Sequence, residues 1–438
     1  MADIIFAPAT AKGKAALSII RVSGEGSGTL LKMITNKGLP ENRVIALRSF
    51  YNPKSKKIID TCLVAWMVAP RTYTGEDSFE IYCHGSISIV RSFFDSLSSC
   101  ENVRLAEEGE FTKRALINGK LNLIKAEAIN DLVNSETESQ RILALKQLNK
   151  GLTVPIKKWK KTLRKIMAKV ESVIDFSDEE DVPDNLNIKK ELSILKYEFE
   201  KVLKNSASYE LIKEGTKVVL TGKPNAGKST LFNALLNSNK SIVTNIPGTT
   251  RDIIEGAVNL KGYPIIFYDT AGINNTNNPI EREGINRAIN IIKEADIVLN
   301  VIDANTFQKQ DISHNYWNLI NKIDTRPILS ENLNNEKNIQ KISASSGIGI
   351  DNLQEKILNH VMYKTDTIKK ADTFLSSARQ KMLLTNSLES INFALQEKSE
   401  ELVAESLRAI NYNLGRILGE VDVEEVLGEI FSNFCIGK

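Results

Sequence analysis

The chain has 438 residues, 42% of them hydrophobic and 25% charged, with a formal net charge of +3. That length is too great for one ordinary core, so about three domains are expected. No apolar run approaches the roughly 20 residues of a membrane span, and the N-terminus lacks a signal-peptide layout. Four scattered cysteines (62, 83, 100 and 435) without a CxxC pair speak against a disulfide scaffold or a structural zinc site. A reduced, cytoplasmic setting is expected. The net charge alone is too weak to mark a nucleic-acid binder.

Roughly the first 115 residues alternate short apolar runs with Gly, Pro and Asn turns. ALSIIRVS (16–23), CLVAWMVA (62–69) and SFEIYCHG (78–85) read as strands of a mixed or mainly β domain. Helical character begins near Phe111 and continues to about Tyr209. Within it, LNLIKAEAINDLVNSETESQRILALKQL repeats apolar residues at helical spacing. The run KKWKKTLRK (157–165) gathers cations around Trp159; it reads either as a solvated helix face or as an RNA-phosphate contact. The acidic stretch DFSDEEDVPDN (175–185) separates two helices. From Lys217 to about Leu358 the pattern becomes strand–helix–strand, and helical periodicity returns from Ala371 to Phe434.

The most informative segment is GKPNAGKS (222–229), between the apolar strand KVVLT and the helix start TLFNALL. Strand, glycine-rich loop and helix form the setting of a phosphate-binding loop. Its glycines let successive backbone N–H groups face one cavity. Lys228 can then reach the β- and γ-phosphates, and the Ser229 hydroxyl can bind Mg²⁺. DTAG (269–272) follows the strand PIIFY about 40 residues later. There Asp269 can hold Mg²⁺ through water, and the Gly272 N–H can touch the γ-phosphate. In NKID (321–324), the Asp324 carboxylate can accept both N1–H and the exocyclic amine of guanine, a pattern adenine lacks. Asn321 and Lys322 brace that loop, and SAS (343–345) can offer an N–H to guanine O6. Four motifs in this order specify a guanine-nucleotide domain.

The nucleotide contacts expected are therefore Asn225, Ala226, Gly227, Lys228, Ser229 and Thr230 from the loop, and Asp269, Thr270, Ala271 and Gly272 from DTAG. Asn321, Lys322, Asp324, Ser343, Ala344 and Ser345 serve the base. The first switch loop falls at SIVTNIPGTTRD (241–252), supplying Thr244, Asn245, Ile246, Pro247, Gly248, Thr249 and Thr250. Thr250 joins Ser229 as the second hydroxyl on Mg²⁺. Ile273 follows DTAG where Ras-like proteins carry a water-positioning Gln, and isoleucine cannot orient water. Arg251 and Arg282 are the nearest candidates for an arginine finger. Only seventeen residues separate Asp303 from Asn321, so the helix usual between those strands is expected to shrink to a turn.

Taken together, ALSIIRVSG, TGEDSFE, EGEFTKRALINGKLNLIKAEAINDLV, the guanine motifs and the terminal FCIGK resemble the MnmE (TrmE) family of bacterial tRNA-modification GTPases along essentially the whole chain. The resemblance implies a multidomain α+β and α/β protein. It would have a folate-binding-like mixed β domain that also dimerises (1–115), a discontinuous helical domain (116–210 and 366–438) and an inserted Ras-like P-loop G domain (211–365). It further implies a K⁺ ion held by Asn225, Thr244, Ile246 and Thr249, with Glu281 orienting the hydrolytic water. A tetrahydrofolate derivative would contact Arg21, Glu80, Lys120 and Lys438, and Cys435 is a catalytic candidate. The implied reaction adds a carboxymethylaminomethyl or aminomethyl group to C5 of the tRNA wobble uridine, with methylene-tetrahydrofolate as carbon donor. The implied partners are a second copy of the chain and MnmG, a subunit using FAD and NADH, in a heterotetramer without stable membrane insertion. Two other readings of the G domain remain: a ribosome-assembly GTPase, which has no need for Arg21, Glu80 or FCIGK, and a signalling switch, which would hydrolyse slowly and answer to an external activating protein.

Overall fold

Period-two alternation sets the strands of the N-terminal part, and near-continuous apolar runs set those of the central part. The computed structural model describes residues 3–149, 151–175, 188–237, 254–270, 289–325 and 338–421, with Gly428, Phe434 and Gly437. The chain divides into two compact units, residues 1–130 with 411–438, and residues 131–410.

The first unit contains β1 (Ile4–Pro8), β2 (Leu17–Ser23), α1 (Ser27–Thr35), β3 (Ile45–Tyr51), β4 (Ile58–Met67), β5 (Ser78–His84), α2 (Ile87–Ser98), β6 (Val103–Leu105), α3 (Glu110–Ile117) and most of α4 (Leu123–Val133). Its six-stranded sheet runs β3-β4-β5-β2-β1-β6, antiparallel except for the β1/β6 pair. Alternation decides which face is buried. Ile20, Val22, Phe79 and Ile81 point into a core shared with Phe50, Val64 and Trp66, while α1 and α2 contribute Leu30, Leu31, Phe93 and Leu97. The opposite face carries Ile19, Arg21, Glu80 and Tyr82, which are only partly buried. Helices α1 and α2 interrupt a stretch that reads mostly as strands; α2 is started by Ser86, whose hydroxyl accepts from the Ile89 N–H.

Two of the family-like segments meet in one ion network. Arg114, on α3, donates to Asp3 Oδ1 at 2.7 Å, Glu110 Oε1 at 2.9 Å and Glu76 Oε1 at 3.3 Å. Burial alone would raise the Glu110 carboxyl, but hydrogen bonds from Arg104 and Arg114 outweigh it and hold it below the usual range. These residues of TGEDSFE and EGEFTKRA fasten α3 to the sheet.

The second unit contains α5 (Glu138–Asn149), α6 (Thr153–Asp175), α7 (Ile188–Lys213), β7 (Thr216–Thr221), α8 (Lys228–Asn237), β8 (Ile254–Leu260), β9 (Tyr263–Asp269), β10 (Ile297–Asp303), β11 (Trp317–Asn321), β12 (Ile339–Lys341), α9 (Ile350–Lys370), α10 (Ala378–Gln396) and most of α11 (Glu400–Leu418). The sheet order is β12-β11-β10-β7-β9-β8, parallel except for the β8/β9 pair. Two helices cover one face: α8 packs Leu231, Phe232 and Leu235, and α9 packs Leu353, Ile357 and Val361, into one core with Val218, Leu220, Leu299 and Val301.

The connection from β10 to β11 contains a single 3₁₀ turn, Lys309–Asp311, in agreement with the short spacing. Side-chain hydrogen bonds do the work of the missing helix. Asn318, 1% exposed, donates to the Ser313 carbonyl at 2.8 Å and accepts from the Ser313 N–H and from Asn300 Nδ2, both at 2.9 Å. Elsewhere, helices that precede and follow the sheet meet each other. Tyr209 of α7 stacks on Phe374 with ring centroids 5.2 Å apart, and Lys213 donates to the Ser376 carbonyl at 3.0 Å. Residues 176–187, most of the acidic break, lie outside the described residues. Among the described residues no helix is long and apolar enough to cross a membrane.

Candidate functional site

The phosphate loop leaves β7 and enters α8 through three left-handed backbone positions, Gly222 (φ 138°), Asn225 (φ 62°) and Gly227 (φ 94°). Two of them admit no side chain. A Cβ on Gly222 would lie 2.2 Å from the Val301 carbonyl oxygen, and one on Gly227 would lie 2.4 Å from Asn321 Nδ2. Asparagine tolerates the left-handed region better than most residues, which suits Asn225 to its place. Lys228 is 8% exposed, and its ammonium donates to the carbonyls of Gly222 (2.9 Å) and Lys223 (3.1 Å). Burial lowers its pKa, partly offset by the nearby Asp269 carboxylate. Asp269 ends β9 opposite Leu220 and is 1% exposed, while Thr270 donates to the Leu220 carbonyl at 2.7 Å. Ser229 and Thr230 are exposed in the first turn of α8.

NKID is tied to this loop directly. Asn321, 1% exposed, donates from Nδ2 to the Ala226 carbonyl and accepts at Oδ1 from the Ala344 N–H, both at 2.9 Å. One side chain thus joins the phosphate loop to the SAS loop. Lys322, itself at φ 66°, donates to the Asn225 carbonyl and to Asp303 Oδ2, both at 2.7 Å. Burial would raise the Asp303 carboxyl, but the Lys322 ammonium and the Asn305 N–H prevail and hold it below the usual range. Asp324 is exposed, and hydrogen bonds from Ser343 and Ser345 lower its pKa. It is therefore ionised and acceptor-only, the state needed to take two N–H donors from a base edge.

On the other flank of the loop, Lys223 forms an ion pair with Asp311 of the shortened connection at 2.6 Å. A cavity of about 590 Å³ opens there, lined by Asn225, Asp303 and Tyr316 among others.

In the first unit, Arg21 and Glu80 face each other across the β2/β5 pair, with Nε to Oε1 at 2.9 Å. Tyr82 donates to the other Glu80 oxygen at 2.9 Å, and the Arg21 guanidinium lies 5.6 Å from the Tyr73 ring and 5.8 Å from the Phe111 ring. The Gly437 carbonyl accepts from Arg21 at 3.2 Å. Gly437 adopts φ 103°, and a Cβ there would meet the Pro8 carbonyl oxygen at 2.1 Å, so only glycine fits at this position against β1. Lys120 is exposed and donates to the Pro70 carbonyl at 2.6 Å.

Comparison with known proteins agrees across the whole chain. Residues 4–120 match the family model described as GTP-binding protein TrmE N-terminus, and residues 123–435 match the MnmE helical domain. The protein named tRNA modification GTPase MnmE in Pelagibacter ubique (strain HTCC1062) is 40% identical over 99% of this chain and 100% of its own length. Its namesake in Agrobacterium fabrum is 38% identical over 100% of this chain and 99% of its own length. Another in Rickettsia bellii (strain OSU 85-389) is 38% identical over the full length of both. The chain belongs to the MnmE family.

Measured against the MnmE-family expectations, the described residues bring together the phosphate loop, Asp269, Thr270, Asn321, Lys322, Asp324 and the SAS loop. They also bring together Arg21 and Glu80, but place Lys120 on a separate carbonyl. Thr244, Asn245, Ile246, Pro247, Gly248, Thr249, Thr250, Arg251, Ala271, Gly272, Ile273, Glu281, Arg282, Cys435 and Lys438 lie outside the described residues. Motif reading missed Asp303, Asp311, Tyr82 and the two rings around Arg21. The short 303–321 spacing was the one available signal for Asp311, because a connection without a helix must be fastened by side chains.

Proposed function

We infer that this GTP hydrolase of the MnmE family uses GTP turnover to drive modification of C5 of the tRNA wobble uridine, by addition of a carboxymethylaminomethyl or aminomethyl group. The observation that carries the reading is the presence of two separate polar sites in one chain. One is the guanine-nucleotide site, whose phosphate loop and SAS loop are joined by Asn321; the other is the Arg21–Glu80 pair with Gly437 against it. A ribosome-assembly GTPase or a signalling switch needs only the first.

At the nucleotide site, Lys228 exchanges its two carbonyl acceptors for the β- and γ-phosphates, and Asp324 accepts from guanine N1–H and the exocyclic amine. The oxygen donors Ser229 and Asp269, with Thr250, fit a hard divalent cation, and Mg²⁺ held there neutralises phosphate charge. Asn225 is exposed beside the loop, and its amide oxygen suits K⁺ together with Thr244, Ile246 and Thr249. A monovalent cation there supplies the positive charge that an arginine finger gives elsewhere. Glu281 orients the attacking water, the task for which Ile273 is unfit. Hydrolysis then changes how the domains are arranged.

At the second site, the Glu80 carboxylate suits the N–H donors of a pterin, with Arg21 fixing its direction, and Lys120 and Lys438 suit the carboxylates of a tetrahydrofolate derivative. Cys435 is the candidate nucleophile of the terminal segment. The domain reading is a folate-binding N-terminal domain (1–115), a helical domain in two parts (116–210 and 366–438) and a G domain (211–365) inserted between them. Contact of α7 with Phe374 and Ser376 supports the insertion. A second copy pairs through the N-terminal sheet, a reading supported by exposed Leu47 and Leu63, which oppose each other on β3 and β4. An FAD- and NADH-using MnmG subunit completes the cytoplasmic heterotetramer.

Potassium tests the mechanism. GTP turnover should be several-fold faster in KCl than in NaCl, and Asn225→Ala should abolish the difference; equal rates in both salts for the unaltered chain would overturn it.

A further inference from the structure

Helix α6 carries KKWKKTLRK at residues 157–165, and the fold divides these residues between two faces. Ile156, Trp159, Leu163, Ile166 and Val170 are buried. Trp159 packs on Phe199 of α7 with ring centroids 4.7 Å apart and donates its indole N–H to Glu198. The ring belongs to the core and offers no platform for stacking a base. Lys157, Lys158, Lys161, Arg164 and Lys165 are all exposed. At about 100° per residue, these five cations fall within an arc of roughly 120° centred opposite the buried stripe, along roughly 12 Å of axis.

A face that is merely solvated mixes charge signs and pairs them at helical spacing. On this stripe Lys158 alone meets a carboxylate, Glu198 at 3.2 Å. Among the described residues no ion pair engages Lys157, Lys161, Arg164 or Lys165. The other ion-paired carboxylates along α6 lie nearer its C-terminal end, where Glu191 pairs with Lys169 at 2.8 Å and Glu171 with Arg408 at 3.5 Å. Like charges so close together favour a polyanion. Between residues 157 and 165 the arc holds no apolar side chain, and Val154, one turn earlier, is the one large apolar side chain exposed on this helix, too little to anchor it in a lipid surface. Lysine is depleted at the cores of protein–protein interfaces, which argues against a protein partner. Nucleic-acid backbones are met by clustered Lys and Arg of this kind.

We propose that the exposed stripe Lys157, Lys158, Lys161, Arg164 and Lys165 is a contact surface for the phosphate backbone of tRNA. It supplies affinity without reading sequence, so the choice of wobble base is made elsewhere. The proposal rests on the tRNA-modification reading above.

The test measures Kd for an unmodified tRNA with uridine at the wobble position, using the full chain in 50–200 mM KCl. The variant Lys157→Gln/Lys161→Gln/Arg164→Gln/Lys165→Gln should bind about tenfold or more weakly at 100 mM, with the slope of log K against log salt reduced by about three. Its basal GTP turnover should be unchanged, which reports that it folds. A control removing the same charge from exposed positions of the first unit, Lys32→Gln/Lys37→Gln/Lys54→Gln/Lys57→Gln, should stay within about twofold of wild type. The stripe variant binding like wild type with an unchanged slope, the control losing as much, or no binding by wild type would each overturn the proposal. Wobble-uridine analysis separates this failure from failure of the parent reading. If the wild-type gene does not restore modification in a deletion strain, the parent reading falls and the stripe proposal with it. If it does restore modification and the stripe variant still binds normally, the stripe proposal alone falls.

Discussion

Replacing Asn321 by alanine removes two hydrogen bonds of 2.9 Å from a side chain that is 1% exposed. It strands the Ala226 carbonyl in the phosphate loop and the Ala344 N–H in the base loop. Leaving a buried backbone group without its partner costs about 1–3 kcal/mol, so the two together amount to about 2–4 kcal/mol after partial rescue by water. If that energy is what holds both loops ready for nucleotide, GTP and GDP should each bind about 30- to 1,000-fold more weakly. The assay is titration of a fluorescent guanine nucleotide, with thermal unfolding of the full chain as the companion measurement. Asn321→Asp keeps the acceptor for Ala344 but sets a carboxylate beside the Ala226 carbonyl, and it should recover at most part of the loss. A loss below about threefold with an unchanged Tm would show that the two loops are positioned independently of Asn321, contradicting the argument.

The Lys322–Asp303 pair gives a pH dependence with a fixed sign. The Asp303 carboxyl is depressed in the fold, so its contribution is complete above the ordinary carboxylate range near 3.9 and is lost as pH falls through its lower folded value. The contribution of this pair to stability should therefore be constant from pH 6 to 8. Asp303→Asn should cost about 1 kcal/mol or less, because Lys322 is 33% exposed; Tm against pH for the two proteins checks both statements. At the second site, Glu80→Gln should weaken binding of a tetrahydrofolate derivative by about tenfold or more while leaving GTP turnover unchanged, as read by calorimetry and phosphate release. Undiminished folate binding by that variant would separate the Arg21–Glu80 pair from the pterin.

The guanine-nucleotide chemistry was legible because it depends on short, ordered motifs whose backbone demands are local. Gly222, Gly227 and Lys228 occupy the places their pattern requires. The links between motifs were not legible. That Lys322 would reach back to the Asn225 carbonyl, or Asn321 to Ala226, depends on the parallel pairing of β10 with β7 and β11, which no single motif encodes. In the N-terminal unit, the strands at 17–23 and 78–84 could be read from alternation, but their register, which sets Arg21 opposite Glu80, could not. Helix α1 is only nine residues long, but α2 was legible: Ser86 caps it, and Ile89, Val90, Phe93, Phe94 and Leu97 repeat at helical spacing. The KKWKKTLRK run shows the same limit. Sequence left Trp159 among the cations, and only packing against Phe199 turned it inward and separated the charged face from the core.

The central claim joins a GTP site to chemistry on a tRNA base, and nucleoside analysis of bulk tRNA tests it most directly. A strain lacking this chain should lose the C5 substituent on its wobble uridines. The wild-type gene should restore it, whereas Lys228→Ala, which removes the phosphate-reaching ammonium, should not. Wobble uridines unchanged by the deletion, or fully restored by Lys228→Ala, would contradict the account.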